Sequence, residues 1–136
     1  MEDTVFAKII RREIPAEILY EDDDTLAFLD IAPVSPGHTL VIPKKPVRNI
    51  FDADDDTLAS VMKTVRKIAP AVRDAVGADA LNIQSNHGAE AGQIVFHMHF
   101  HLIPRFAGDD FFMWPHKEYK EGEAKEVAEK IRAKLA

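Results

Sequence analysis

The segment IVFHMHFHLI, residues 94–103, carries His97, His99 and His101 at every second position, three of the six histidines in the chain. On an extended backbone side chains alternate between faces, so the three imidazoles project to one side. Phe96, Met98, Phe100 and Leu102 project to the other, as a packed core requires. At ~3.3 Å rise per residue the outer pair is about 13 Å apart at the backbone, and the rings can converge by leaning. Three readings are open. One is a set of hydrogen-bonded surface histidines. A second is zinc, since His-X-His is a usual ligand pair and a third imidazole or carboxylate completes an open site. The outer pair is badly spaced, however, for ~2.0–2.1 Å bonds to one ion. The third is phosphate chemistry. A neutral imidazole attacks phosphorus near neutral pH, because its unperturbed pKa is about 6.5. Flanking imidazoles can donate to phosphoryl oxygens and protonate a leaving group. The loop Gly88 to Gln93 adds backbone N–H groups of the kind that line anion sites. The phosphate reading accounts for the most residues.

The elements that must hold these side chains follow from pattern. Asp3 can cap a short helix carrying Val5, Phe6, Ile9 and Ile10, which Pro15 stops. EILY and TLAFLDI read as a hairpin about the acidic turn Glu21 to Asp24, and HTLVIP is a third strand after the turn PVSPGH. A long helix starts at Asp54 to Asp56, where carboxylates suit the dipole, and buries Leu58, Val61, Met62, Val65, Ile68 and Ala69. Gly77 caps its end, and Pro70 predicts a kink or break near Lys67. ALNIQS and VFHMHFHLIP are two more strands, joined by NHGAEAGQ. Glu121 to Leu135 reads as an exposed amphipathic helix. Five mostly antiparallel strands, with the long helix between the third and fourth, make an α+β domain. It spans 1–136, with 106–136 as a tail bearing the last helix.

Composition narrows the function. A net charge of −6 argues against nucleic acid as partner, since such binding rests on clustered Lys and Arg. The absence of cysteine excludes disulfides, thiolate zinc sites and a cysteine nucleophile. No apolar run approaches the ~18–20 residues of a membrane span. The start Met1-Glu2-Asp3-Thr4 lacks a secretory pattern, so the expected compartment is the cytoplasm.

HMHFHLI has the His-X-His-X-His-X-X pattern, and the chain resembles the histidine triad (HIT) superfamily. GQIVFHMHFHLIPR is similar to the family's signature segment and DIAPVSPGHTLVIPKK to a second one. VFAKIIRREIPAEILYEDD resembles the N-terminus of the Hint branch, so the likeness covers roughly residues 4 to 105. The resemblance implies a HIT-like fold and a hydrolase or nucleotidyl transferase acting at the α-phosphorus of purine nucleoside 5′-phosphoramidates. It implies His99 as the nucleophile, His101 at the phosphate and leaving group, and His97 with His38 as supporting residues. Asp30 matches the carboxylate on the ribose hydroxyls, and Phe6, Ile9, Ile14, Phe28 and Ile31 match the apolar pocket for the base. Asn86, Gly92, Gln93 and the backbone of Val95 match groups around the phosphate.

The chain departs from the family in three places. Many bacterial relatives begin with a Cys-X-X-Cys that helps bind structural zinc; Thr4-Val5-Phe6-Ala7 stands here, so no metal and no cofactor are expected. Ile94 replaces a serine often found after the glutamine. EAGQ and PRFAGD resemble the Fhit branch, which splits dinucleoside polyphosphates, and a nucleotide-binding scaffold or sensor is a third reading. FFMWP resembles a Trp-Pro through which Hint proteins reach the partner subunit's site, so Trp114 and a homodimer are expected.

Overall fold

The computed structural model describes residues 3–111 and 114–136; Phe112 and Met113 of the FFMWP segment, and the first two residues, lie outside them. Helix α1 (Val5–Ile10) is followed by strands β1 (Ile18–Glu21), β2 (Thr25–Leu29) and β3 (Thr39–Pro43), then helix α2 (Asp55–Ala75). Strand β4 (Ala80–Gln84), a short 3₁₀ turn at Ala89–Ala91, strand β5 (Phe100–Arg105) and helix α3 (Glu123–Leu135) complete the chain. The strands form one antiparallel sheet in the order β1-β2-β3-β5-β4, so the α+β expectation holds.

Alternation along the strands gives the sheet two different faces. Ala27, Val41 and Leu102 meet Val61, Val65 and Ile68 of α2, with Met98 and Val47 beside them. Leu26, Phe28, Leu40 and Ile42 point the other way, onto Phe6 and Ile9 of α1. Leu40 stands opposite His101, so His101 shares the α1 face. Gln84 and Asn82 stand opposite His101 and Ile103, which extends this face across β4.

Four expectations are corrected in detail. Thr4, not Asp3, caps α1: its hydroxyl accepts from the Ala7 N–H at 3.1 Å, while Asp3 pairs with Arg11. Helix α2 runs unbroken through Pro70, which is exposed; the carbonyl its missing N–H would have served lies on the solvent side, beside exposed Arg66. Met62 is 39% exposed, and Thr64 takes a buried place instead by sharing a 2.7 Å hydrogen bond with Thr25 of β2. Strand β5 begins at Phe100, not at Val95. Its ladder with β3 ends at the Val41–Phe100 pair, because the next residue of β3 whose backbone faces β5 is Pro43, two positions on, which has no N–H to give. Among the described residues no helix is long and apolar enough to cross a membrane.

Candidate active site

The late start of β5 is what shapes the histidine site. Residues 95–97 bend, and the Met98 N–H bonds to the Val47 carbonyl at 2.8 Å instead of joining the ladder. The carbonyl of His97 is therefore free of a strand partner, and it accepts a hydrogen bond from His99 Nδ1 at 2.8 Å. That bond fixes the proton of His99 on Nδ1 and leaves the Nε2 lone pair uncommitted. Ser85, which follows β4, donates its hydroxyl to the His99 carbonyl at 2.7 Å and holds the backbone here. His97 itself is 1% exposed, and its Nε2–H donates to the Pro43 carbonyl at 2.7 Å. Met98 still packs on the α2 side, so the alternation expected of a strand survives in an irregular segment.

A second chain of hydrogen bonds sets His101. The Val34 N–H donates to His38 Nδ1 at 3.0 Å, so a neutral His38 carries its proton on Nε2. His38 Nε2 lies 2.9 Å from His101 Nδ1, which must then accept. The proton of neutral His101 is left on Nε2 as a free donor. The His99 and His101 rings are 5.1 Å apart, edge to face. A nucleophilic lone pair and a donor thus stand side by side. Asp30 Oδ2 is 3.7 Å from His38 Nε2, and its Oδ1 accepts from the Ala32 N–H at 2.9 Å.

Burial pushes His38, His97, His99 and His101 below the ordinary imidazole value. The Asp30 carboxylate pulls back on His38, His99 and His101, and the carbonyls of Pro43 and His97 pull back on His97 and His99. Burial dominates, so all four are neutral at pH 7, the state that a nucleophile requires.

On the nucleoside side, the Phe6 ring lies 4.9 Å from that of His99 and 5.5 Å from that of Phe28. Phe6, Ile9 and Phe28 are buried in one cluster, with Ile14 and Val95 packed against it. Ile31 is not part of it and is 92% exposed, next to Asp30 in the chain. The Gln93 side chain is committed to protein groups: Oε1 accepts from Gly88 N–H and Asn49 Nδ2, and Nε2 donates to the Arg48 and Val95 carbonyls. It pins the loop instead of reaching toward the triad. Asn86 Nδ2 donates weakly to the Gly92 carbonyl at 3.4 Å, in the same loop, and Ile94 is 88% exposed. Trp114, 80% exposed, lies beside Asn82, Gln84 and Ile103 of its own chain. Sequence reasoning missed Ser85, Val34 and Asn49, of which two act on the site through a hydroxyl and a backbone N–H that carry no motif.

For a metal, Asp30, His38 and His101 offer three ligand atoms within 4.8 Å of one another. Two of these atoms are already hydrogen-bonded together, so an ion would have to break the pair that orients His101. The position of the bacterial cysteine pair does not fit zinc either: the Thr4 hydroxyl caps α1 and Ala7 has no donor atom.

An antiparallel sheet with paired imidazoles prepared on its α1 face defines a histidine triad protein. The chain belongs to the HIT family, whose domain model, "HIT domain", matches residues 11–108. It is similar to a crystal structure of a Streptococcus mutans protein, with a TM-score of 0.94 and 43% identity, covering 100% of this chain and 87% of that one. It is 41% identical to the "Protein hit" of Bacillus subtilis over 99% of this chain and 96% of the relative. It is 36% identical to an adenosine 5′-monophosphoramidase of Schizosaccharomyces pombe over 96% of this chain and 97% of the relative.

Proposed function

We propose that the chain is a homodimeric purine nucleoside 5′-phosphoramidate hydrolase that works through a nucleotidyl-His99 intermediate. One observation carries the reading: the His97 carbonyl holds His99 Nδ1–H, so that Nε2 presents a lone pair beside the donor Nε2–H of His101. The similarity to the yeast monophosphoramidase supports the same substrate class. In the first half-reaction His99 Nε2 forms a bond to the α-phosphorus as the P–N bond breaks. The nitrogen keeps the electron pair and takes up one proton, handed on by His101 and replaced from solvent. In the second, water attacks phosphorus, the P–Nε2 bond returns its pair to His99, and the proton shed by water goes back to solvent. Phe6, Ile9, Ile14, Phe28 and Ile31 would flank the base and Asp30 the ribose, while Asn86, Gly92 and the Val95 backbone would edge the phosphate. His97 and His38 are positioning residues.

The test is turnover of a panel of adenosine and guanosine phosphoramidates, acyl adenylates and dinucleoside polyphosphates by wild type and His99→Gly. Phosphoramidates should be cleaved by wild type, and the variant should lose turnover by ~10⁴-fold or more while still binding AMP with near-native affinity. Wild-type binding of AMP without turnover of any substrate would favour the scaffold reading.

A further inference from the structure

The hydrolase reading gives His87 no part. We propose that His87 is a positioning residue for that reaction: its Nδ1 latches the turn 48–53 to the loop after β4, and so keeps the segment that carries His99 off the strand ladder. The proposal rests on the hydrolase reading above.

The latch is a bond from backbone to ring. The Ile50 N–H donates to His87 Nδ1 at 2.9 Å, and the ring stands edge to face with Phe100, 6.2 Å between centroids. It is the last of a consecutive run. The Met98 N–H donates to the Val47 carbonyl at 2.8 Å, Gln93 Nε2 to the Arg48 carbonyl at 2.7 Å, and Asn49 Nδ2 to Gln93 Oε1 at 3.3 Å. Residues 47, 48, 49 and 50 thus each hold the loop or the segment before β5. The bond at Val47 bears directly on the chemistry: it keeps Met98 off the ladder, where the His97 carbonyl is free to take His99 Nδ1–H. A displacement at Ile50 reaches Val47 because the turn between them is braced as one piece. Asp52 Oδ1 accepts from the Arg48 and Asn49 N–H groups at 3.1 and 3.0 Å, and Asn49 Oδ1 accepts from the Phe51 N–H at 3.1 Å. On the loop side, His87 adjoins Gly88, whose N–H donates to Gln93 Oε1 at 2.8 Å.

One property sets this bond apart from the rest of the run: it titrates. A neutral imidazole with its proton on Nε2 accepts at Nδ1, whereas a protonated one donates from both nitrogens and turns a second donor on the Ile50 N–H. Burial holds the His87 pKa below the ordinary imidazole value, so the latch is closed at neutral pH and opens in acid. The surrounding charges do not oppose this. In the turn, Arg48 and Asp52 pair with each other at 3.4 Å. In the loop of His87 itself, Glu90 is exposed, and β4 carries no ionisable side chain. Ahead of β5 the titratable neighbour is His99, held neutral by its own burial.

Two variants separate the acceptor from the ring. His87→Asn keeps an acceptor near the place of Nδ1 that does not titrate, and His87→Phe keeps a ring with no acceptor. At about pH 8, kcat/KM for adenosine 5′-phosphoramidate should stay within about twofold of wild type in His87→Asn and fall about tenfold in His87→Phe. As the pH falls, wild type loses the latch and His87→Asn keeps it, so the wild-type-to-Asn ratio should drop about tenfold. A Phe variant as active as wild type, an Asn variant as impaired as the Phe variant, or a ratio constant down the acid limb overturns the latch and spares the hydrolase reading. Amide spectra of the wild type test the latch with neither turnover nor a variant. The Ile50 and Met98 resonances should titrate at the midpoint of the His87 ring; an Ile50 amide indifferent to that titration overturns the proposal. Failure of the wild type to cleave any phosphoramidate overturns the hydrolase reading and with it the role in positioning, while the amide titration still decides whether the latch exists.

Discussion

The ring proton of each imidazole of the site is placed by a hydrogen bond to backbone or to another imidazole, and the direction of each bond follows from which partner can donate. The Val34 N–H cannot accept, so the proton order His38 Nε2–H to His101 Nδ1 is forced for the neutral pair. The His97 carbonyl cannot donate, so His99 Nε2 is bare. The ionisation of this set predicts the acid limb of the pH–rate profile. Attack needs neutral His99, protonation stops it, and burial lowers the pKa of His99 below 6.5. Activity should therefore persist as pH falls through 6.5, with the acid-limb midpoint of kcat/KM below that value. A midpoint at or above 6.5 would mean that the nucleophile sits in a wetter or more anionic environment than its burial indicates.

At the scale of elements, the turn that carries His38 is clamped between β5 and the end of α2. Ser35 donates to the Pro104 carbonyl at 2.7 Å, and Gly37 sits at φ +91° with its α-carbon close to Val76 and Pro104. A Cβ at this position would lie 2.9 Å from Val76 Cγ1 and 3.3 Å from Pro104 Cγ. Gly37→Ala should cost ~1–3 kcal/mol through the disfavoured φ and the close contact, and lower kcat by shifting His38. Denaturant melts with an unchanged slope would measure it; a midpoint equal to wild type would show that the turn relaxes freely. The element boundaries themselves were mostly legible from Pro, Gly and apolar period. Two of the corrections turned on a partner far along the chain. Thr64 is buried because Thr25 meets its hydroxyl, and β5 starts late because Pro43 stands on the neighbouring strand.

For the molecule as a whole, the single chain leaves apolar surface that it does not cover. Helix α3 has no buried residue, and its stripe of Val127, Ile131 and Leu135 ends in side chains 56% and 80% exposed at the last two. Ile83 on the outer strand β4 is 49% exposed and Trp114 80%. Pairing of two chains would bury such surface at ~25 cal/mol per Å². Sedimentation at micromolar concentration should accordingly give twice the 15.2 kDa of one chain, and Leu135→Glu with Ile131→Glu should shift the equilibrium toward the monomer. A stable 15.2 kDa species in the wild type would refute the dimer.

What the sequence by itself determined is the set of imidazoles and the face that bears them. Alternation of His97, His99 and His101 with Met98, Phe100 and Leu102 separates core from site on any extended backbone, ladder or not. Glycine, proline and capping residues are local signals, and they placed most elements without reference to anything distant. Only the tertiary structure decided where the proton of each neutral imidazole lies, on which the roles proposed for His99 and His101 rest. Those roles depend on proton positions set by the Val34 N–H, the Pro43 carbonyl and the His97 carbonyl, backbone groups that every residue possesses and no sequence marks. Gln93 makes the same point: its residue type is compatible with a phosphate contact, but four protein groups close around its amide once the loop from Arg48 and Asn49 arrives. A side chain's bonding capacity is fixed by its type, whereas its partners are chosen by whichever parts of the chain folding brings within 3 Å or so.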